Sequence, residues 1–75
     1  MEPKLAAAIN TLEQAIEAEA HSVPETWQTN RVRLVRATAT CTRLIARASA
    51  LDRISARRMI AAIIAPQNQA ASIAV

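Results

Sequence analysis

Residues 22–51 read SVPETWQTNRVRLVRATATCTRLIARASAL, and they contain the central helix of the predicted fold. Ser22 and Glu25 have the spacing of a capping box, in which a serine hydroxyl and a carboxylate satisfy the free amides of a helix start. Pro24 is compatible with a first helical turn because its missing N–H has no partner there. We therefore predict a helix that begins within residues 22–25.

One face of this predicted helix is apolar. Its residues recur at alternating steps of three and four, a spacing that places side chains on one side of a helix. They are Trp27, Asn30, Leu34, Ala37, Cys41, Leu44, Ala48 and Leu51. Cys41, the sole cysteine, lies within this stripe and is predicted to be a buried free thiol. A disulfide between two chains and a reactive thiol are the alternatives.

A stripe of arginines runs next to the apolar one. At about 100° per residue, Arg33 and Arg47 border the apolar stripe, whereas Arg36 and Arg43 lie further round, towards solvent. Guanidinium groups form paired hydrogen bonds with carboxylates and phosphates, so these four arginines are predicted to bind an anionic partner. The alternative is an ordinary solvated helix face.

Length and composition indicate one small all-α domain. The chain has 75 residues, one aromatic side chain and no glycine, which disfavours tight left-handed turns and sheets of hairpins. Its hydrophobic content is 52%, but much of this is alanine, which favours helix and buries little surface. Because small cores are often supplemented by self-association, we expect a homodimer or a partner-stabilised fold.

Two further helices are predicted, one on each side of the central helix. The first covers Pro3–Ala20, and the short link around His21 makes it an antiparallel hairpin with the second. Its apolar seam consists of Leu5, Ile9, Leu12 and Ile16. The spacing of Ser49 and Asp52 is typical of a helix start, so a third helix is predicted from there. Its apolar stripe consists of Ala56, Met59, Ile60 and Ile63.

The expected architecture is therefore a helical hairpin plus a third helix, a small three-helix bundle. Pro66 is predicted to end the third helix, because proline lacks the N–H that a helix interior requires. Residues 1–66 then form a single helical domain and residues 67–75 a flexible tail. One uninterrupted helix to Ala65, paired along its length with a second chain, is the alternative.

Charge is unevenly distributed along the chain. Residues 1–25 contain Lys4 and five glutamates, a balance of −4, and residues 26–75 contain eight arginines and Asp52, a balance of +7. The basic part suits an acidic protein surface or a nucleic acid, although acidic and basic helices also neutralise each other inside folds. We find no signal-peptide pattern and no apolar run of about 20 residues, so we expect no transmembrane segment and a cytoplasmic location.

A second functional hypothesis concerns residues 45–59. The spacing of six residues resembles the helix-turn-helix of small bacterial DNA-binding regulators, namely Ile45, Ala46, Ala50, Leu51, Ala56 and Met59. The resemblance implies that Arg53, Arg57 and Arg58 approach the major groove of DNA. Alanine stands where the turn glycine is usual, and Ser49 stands at a position that is usually apolar.

No catalytic constellation is recognisable, and we expect no enzyme activity, no cofactor and no metal. Glu17 and His21 alone make too small a set of ligands for a metal site. The leading hypothesis is a small non-enzymatic helical interaction or regulatory module that binds a macromolecule through its arginine stripe. The alternative is a helix-turn-helix DNA-binding transcriptional regulator. A membrane-surface domain, based on the basic and partly amphipathic residues 43–64, is a third class.

Overall fold

The computed structural model describes the backbone of residues 1–74 and the side chains of residues 1–65. Its elements are three α-helices, α1 (Pro3–Ala20), α2 (Trp27–Arg47) and α3 (Ala50–Ala74), and the described backbone contains no strand. The predicted all-α class, the three helices and the bounds of the first helix are confirmed. Over the described residues, none of these helices combines the length and the apolar character that a membrane crossing requires.

Helices α1 and α2 form an antiparallel hairpin. The Cys41 thiol, late in α2, donates to the carbonyl oxygen of Ala8, early in α1, at 3.3 Å. The side-chain amide of Asn30, early in α2, donates to the carbonyl oxygen of Ala18, late in α1, at 3.1 Å. Residues early in one helix therefore lie beside residues late in the other, as the short connection predicts.

The start of α2 differs from the prediction, because the helix begins at Trp27 and not within residues 22–25. The Ser22 hydroxyl is engaged at the end of α1 instead. It donates to the Ala18 carbonyl at 3.1 Å and accepts a hydrogen bond from the Asn30 amide at 2.7 Å. The predicted cap is therefore wrong, since a tertiary hydrogen bond competes for the same hydroxyl.

The core lies between the helices and is built largely from small side chains. Leu5 and Ile9 are the largest fully buried side chains. The other buried apolar residues are Ala8, Leu12, Ala15, Ala37, Cys41, Ala48 and Ala56. From α3, Ile60 and Ile63 pack against this cluster as predicted, whereas Met59 is 43% exposed. Two isoleucines thus supply most of the large apolar surface with which α3 covers the hairpin.

The predicted apolar stripe of α2 is correct in its middle and wrong at both ends. Ala37 and Cys41 are buried, as predicted. Trp27 is 54% exposed, because α1 ends at Ala20 and does not extend far enough to cover that side chain. Leu51 is 78% exposed, because it belongs to α3, which starts in a new helical phase.

Helices α2 and α3 are separate, so the chain does not form one uninterrupted helix to Ala65. α2 ends at Arg47 and α3 begins at Ala50. Ser49 acts as the predicted cap, since its Oγ accepts a hydrogen bond from the Asp52 N–H at 3.2 Å. Asp52 also accepts a hydrogen bond from the Glu2 N–H at 3.2 Å, which joins the start of α3 to the start of α1.

Pro66 does not end the third helix, contrary to the prediction, because α3 extends to Ala74. A proline inside a helix removes one backbone hydrogen bond and crowds the preceding turn, at a cost of about 3 kcal/mol. Its φ angle is nevertheless helical, so the backbone is able to continue. The structure does not describe the side chains of residues 66–75 or the backbone of Val75. The expectation of a flexible tail, residues 67–75, therefore lies outside the described residues in these respects.

Replacing Leu12 by alanine should lower the free energy of unfolding by about 2–5 kcal/mol, because a side chain that is 5% exposed leaves a cavity when truncated. Leu51→Ala is the matched control, the same chemical change at a side chain that is 78% exposed. We expect the control to change stability by less than about 0.5 kcal/mol. Urea unfolding followed by circular dichroism measures both, and equal effects would contradict this core.

Candidate functional site

The four arginines predicted to bind a partner lie together on one face of α2. All four side chains are exposed. Their positions fall within an arc of about 80° around the helix and extend over about 21 Å of its length. We call Arg33, Arg36, Arg43 and Arg47 the arginine face.

The arginine face has no carboxylate partner among the described residues. Within them, the single ion pair between side chains joins Arg31 to Glu19, whose Nη1 and Oε1 atoms are 2.8 Å apart. A second charged contact joins the N-terminal amine to Asp52 at 3.9 Å. The sequence left open the alternative that acidic and basic helices neutralise each other inside the fold. Among the described arginines, only Arg31 forms such a pair.

Helix geometry explains why the glutamates of α1 do not reach the arginine face. Glu13 borders the surface that α1 shares with α3, near Met59. Glu17, four residues further on, falls on the same flank of the helix. The flank of α1 that faces the arginines presents Ala8 and Thr11 instead. The arginine face therefore stands beside a surface of α1 without acidic residues.

An open groove of about 770 Å³ runs between α1 and α2 beside the arginine face, and we call it the α1–α2 groove. Ala8 and Ala37 are buried and form its floor, whereas Val32, Arg33 and Arg36 are exposed and form its rim. The remaining lining residues are Thr11, Gln28, Thr29 and Thr40. The groove thus combines a floor of small side chains with a cationic rim.

Two hydroxyl groups of the groove already donate within their own helices. Thr11 Oγ1 donates to the Ala7 carbonyl at 3.0 Å, and Thr40 Oγ1 donates to the Arg36 carbonyl at 3.0 Å. Because a hydroxyl has one proton, neither group donates to a ligand without breaking that bond. The charged donors of the groove are the guanidinium groups of Arg33 and Arg36.

Arg53, predicted as a possible DNA contact, stabilises the junction between α2 and α3. Its Nε donates to the Ala48 carbonyl at 3.1 Å, and its Nη2 donates to the Ala46 carbonyl at 3.2 Å. These carbonyls lie at the end of α2, where a helix has acceptors without partners and the negative end of its dipole. The guanidinium group of Arg53 supplies hydrogen-bond donors to these acceptors and a positive charge near the negative end of the dipole.

The helix-turn-helix resemblance would require several residues to be buried that are exposed in the structure. Ala46 is exposed, Leu51 is 78% exposed and Met59 is 43% exposed. Arg57 and Arg58 are exposed on α3, as DNA contact would require. Of the apolar positions in the α3 part of the resemblance, Ala56 is fully buried, whereas Leu51 and Met59 are not.

Cys41 is a buried free cysteine, as predicted. Burial raises the pKa of its thiol above the ordinary value, because the charged thiolate is poorly solvated there. The neutral thiol is therefore favoured, which opposes nucleophilic reactivity. Within the described residues, no group of three or more histidine, cysteine, aspartate or glutamate side chains is arranged to hold a metal ion.

Sequence patterns did not indicate the α1 side of the groove. Ala8 and Thr11 carry no charge and belong to no motif, and only the pairing of the two helices places them beside Arg33 and Arg36. Asn30 was predicted merely as part of the apolar stripe, whereas its amide closes the hairpin. A signal for this role was present, since a polar amide on a helix seam requires hydrogen-bond partners.

The chain matches no protein family, no curated protein and no solved structure. Two features of the molecule bear on its function, the arginine face and the α1–α2 groove.

Replacing Arg53 by alanine should lower the free energy of unfolding by about 1 kcal/mol, because two carbonyls at the end of α2 lose a charged donor. Arg57→Ala, which removes an exposed arginine from the same helix, is the matched control and should have an effect below about 0.5 kcal/mol. Thermal and urea unfolding measure the difference. Identical stability of the two variants would show that Arg53 does not hold the junction.

Proposed function

We propose that this protein is a small non-enzymatic helical interaction or regulatory module that binds an anionic macromolecule through its arginine face. One observation carries the proposal. Four exposed arginines lie on one side of α2, and no carboxylate among the described residues pairs with them. Guanidinium groups stay protonated throughout the physiological pH range, so this face is a permanent positive patch.

Electrostatics favours negative charge on this patch. Arg33 and Arg36 are three residues apart and Arg43 and Arg47 are four apart, and like charges at these spacings destabilise a helix by about 0.2–0.5 kcal/mol per pair. A bound carboxylate or phosphate relieves that repulsion and accepts paired hydrogen bonds. The combined field of the four charges also attracts anionic partners before contact, most strongly at low salt.

The non-enzymatic part of the proposal is supported by side-chain chemistry. The chain has one histidine, one cysteine and no tyrosine, so three side-chain types that are common in acid–base and nucleophilic catalysis are scarce. The cysteine is buried, and its raised pKa keeps it in the thiol form. Nucleophilic catalysis requires an activated group beside a second catalytic group. The Cys41 thiol instead donates to a backbone carbonyl, that of Ala8, at 3.3 Å.

Contacts among the described residues support the other two functional classes less well. In the helix-turn-helix class, Arg53 would be available to DNA, whereas here it binds carbonyls of α2. In the membrane-surface class, residues 43–64 would form one helix with a free apolar face. That segment is interrupted at Ala48 and Ser49, and its Ile60 and Ile63 pack against the core.

A double variant that combines Arg36→Glu with Arg43→Glu tests the proposal. The matched control is a second double variant, which combines Arg57→Glu with Arg58→Glu. Each pair changes the net charge by −4, from +3 to −1, so a difference between them reflects position. Binding of fluorescein-labelled poly-glutamate and of duplex DNA is measured by fluorescence anisotropy at several salt concentrations. For at least one probe, we expect the first pair to weaken binding about ten-fold or more and the control less than about three-fold.

Circular dichroism must show that both double variants remain folded, which we expect because exposed charges contribute little to stability. Equal weakening by the two pairs would mean that the protein responds to net charge and not through the arginine face. Binding that is unaffected by the first pair would also contradict the proposal.

We further propose that the protein is a homodimer. Val35 and Ile54 are 59% and 48% exposed, and large apolar side chains in water favour association. Among the described residues, Leu5 and Ile9 are the largest fully buried side chains, so association would add to a small core. Analytical ultracentrifugation at micromolar concentration should give the mass of a dimer. A folded, stable monomer over this range would contradict the proposal.

A further inference from the structure

The α1–α2 groove combines apolar and cationic surfaces in a way that suits a definite class of partner. We propose that it receives an acidic amphipathic helix of another protein. The apolar edge of that helix lies on Ala8, Val32 and Ala37, and its carboxylates bind Arg33 and Arg36. The assignment rests on the proposed function and adds the chemical form of the partner to it.

The floor of the groove suits a helix better than an extended strand. Ala8 is 9% exposed and Ala37 is 6% exposed, so only small side chains separate the groove from the two helix backbones. Helix axes approach to about 8 Å where the side chains at the contact are small. A strand, in contrast, is held by unpaired backbone N–H and C=O groups. Most residues that line the groove lie inside α1 and α2, where backbone groups are paired within the helix, so the groove offers no continuous row of free groups to a strand.

The floor also requires no polar groups from its occupant. The hydroxyl protons of Thr11 and Thr40 are already donated within α1 and α2. Val32, which is 49% exposed at the rim, adds apolar surface. The edge of a bound helix that lies on Ala8 and Ala37 is therefore apolar, and its charged contacts lie at the rim, with Arg33 and Arg36. Polar contacts with Gln28 and Thr29 lie at the end of the groove nearest the start of α2.

The arginine face sets the spacing of acidic residues on the partner. Arg33 and Arg36 form one pair and Arg43 and Arg47 form another, and the centres of the two pairs are about 16 Å apart along α2. On a helix that runs alongside, about 16 Å corresponds to about 11 residues, or three turns. Residues at that separation return to the same face of a helix. The partner helix therefore carries two acidic clusters about 11 residues apart.

A nucleic acid would use only part of this surface. Single strands stack their bases on aromatic side chains, and the one aromatic residue of the chain, Trp27, lies about 120° around α2 from Arg33. Duplex DNA binds basic proteins mainly through its phosphates and needs no apolar floor. An acidic amphipathic helix uses both the floor and the rim.

The test compares two fluorescein-labelled peptides of identical composition, each about 18 residues long. The ordered peptide carries its glutamates in two clusters about 11 residues apart, beside an edge of leucine and alanine. The scrambled peptide has neither pattern, and duplex DNA is the third probe. By fluorescence anisotropy, the ordered peptide should bind about ten-fold more tightly than the scrambled one, and circular dichroism should show helix gained on binding.

Two variants locate the binding. Thr11→Glu places a carboxylate in the groove, where it competes with the peptide for Arg33 and Arg36. Gln14→Glu adds the same charge to α1 at an exposed position outside the groove and is the matched control. The first should weaken binding of the ordered peptide about ten-fold or more, and the second less than about three-fold. The comparison of peptides uses the unaltered protein and stays decisive if the Thr11 variant does not fold.

The outcomes separate this inference from the proposed function. Three results would overturn the helix-in-groove assignment and leave an anion-binding arginine face intact. These are equal binding of the two peptides, equal effects of Thr11→Glu and Gln14→Glu, and tighter binding of DNA than of the ordered peptide. If Arg36→Glu with Arg43→Glu does not weaken any probe, both proposals fail together.

Discussion

Helices α1 and α2 pack closely against each other through small side chains, and this contact shapes both the core and the surface beside it. Ala8, Ala37 and Cys41 are buried at this contact, and the thiol reaches the carbonyl oxygen of Ala8 at 3.3 Å. A larger side chain at any of these positions would force the helices apart. Because side chains this small do not fill the space beside the contact, a groove remains, with Arg33 and Arg36 at its rim. The stability of the hairpin and its candidate binding site therefore have the same cause.

The separation of charge in the fold follows from the same packing. Once one edge of α1 faces α2, the period of the helix directs Glu13 and Glu17 to the flank nearer α3. Glu19 is different because it lies at the end of α1, where it meets Arg31 at 2.8 Å. The acidic and basic halves of the sequence thus form two different surfaces, and most of their charge is not cancelled between them.

Local patterns predicted the helices well where no tertiary contact competed with them. The bounds of α1 and the break at Ser49 followed from apolar spacing and a serine cap, and both are found in the structure. The cap at Ser22 failed, because its hydroxyl has a better use at the end of α1. Leu51 fitted the apolar stripe of α2 by spacing, but the break that Ser49 introduces removes it from that helix. In the first failure a contact between helices overrode a local signal, and in the second the Ser49 cap, a local signal, overrode the apolar spacing.

The arginines show why the candidate site was only partly predictable. All eight have the same chemistry in the sequence, and spacing alone grouped Arg53 with Arg57 and Arg58. The structure separates them by the acceptors within reach. Arg31 finds a carboxylate on another helix, and Arg53 finds two carbonyls that are available only because α2 stops at Arg47. A cation without an internal acceptor keeps its capacity to bind a partner. Among the described residues this condition leaves the arginine face together with Arg57 and Arg58. The shared side of α2 and the adjoining groove then set the arginine face apart, and neither is visible in the number of arginines.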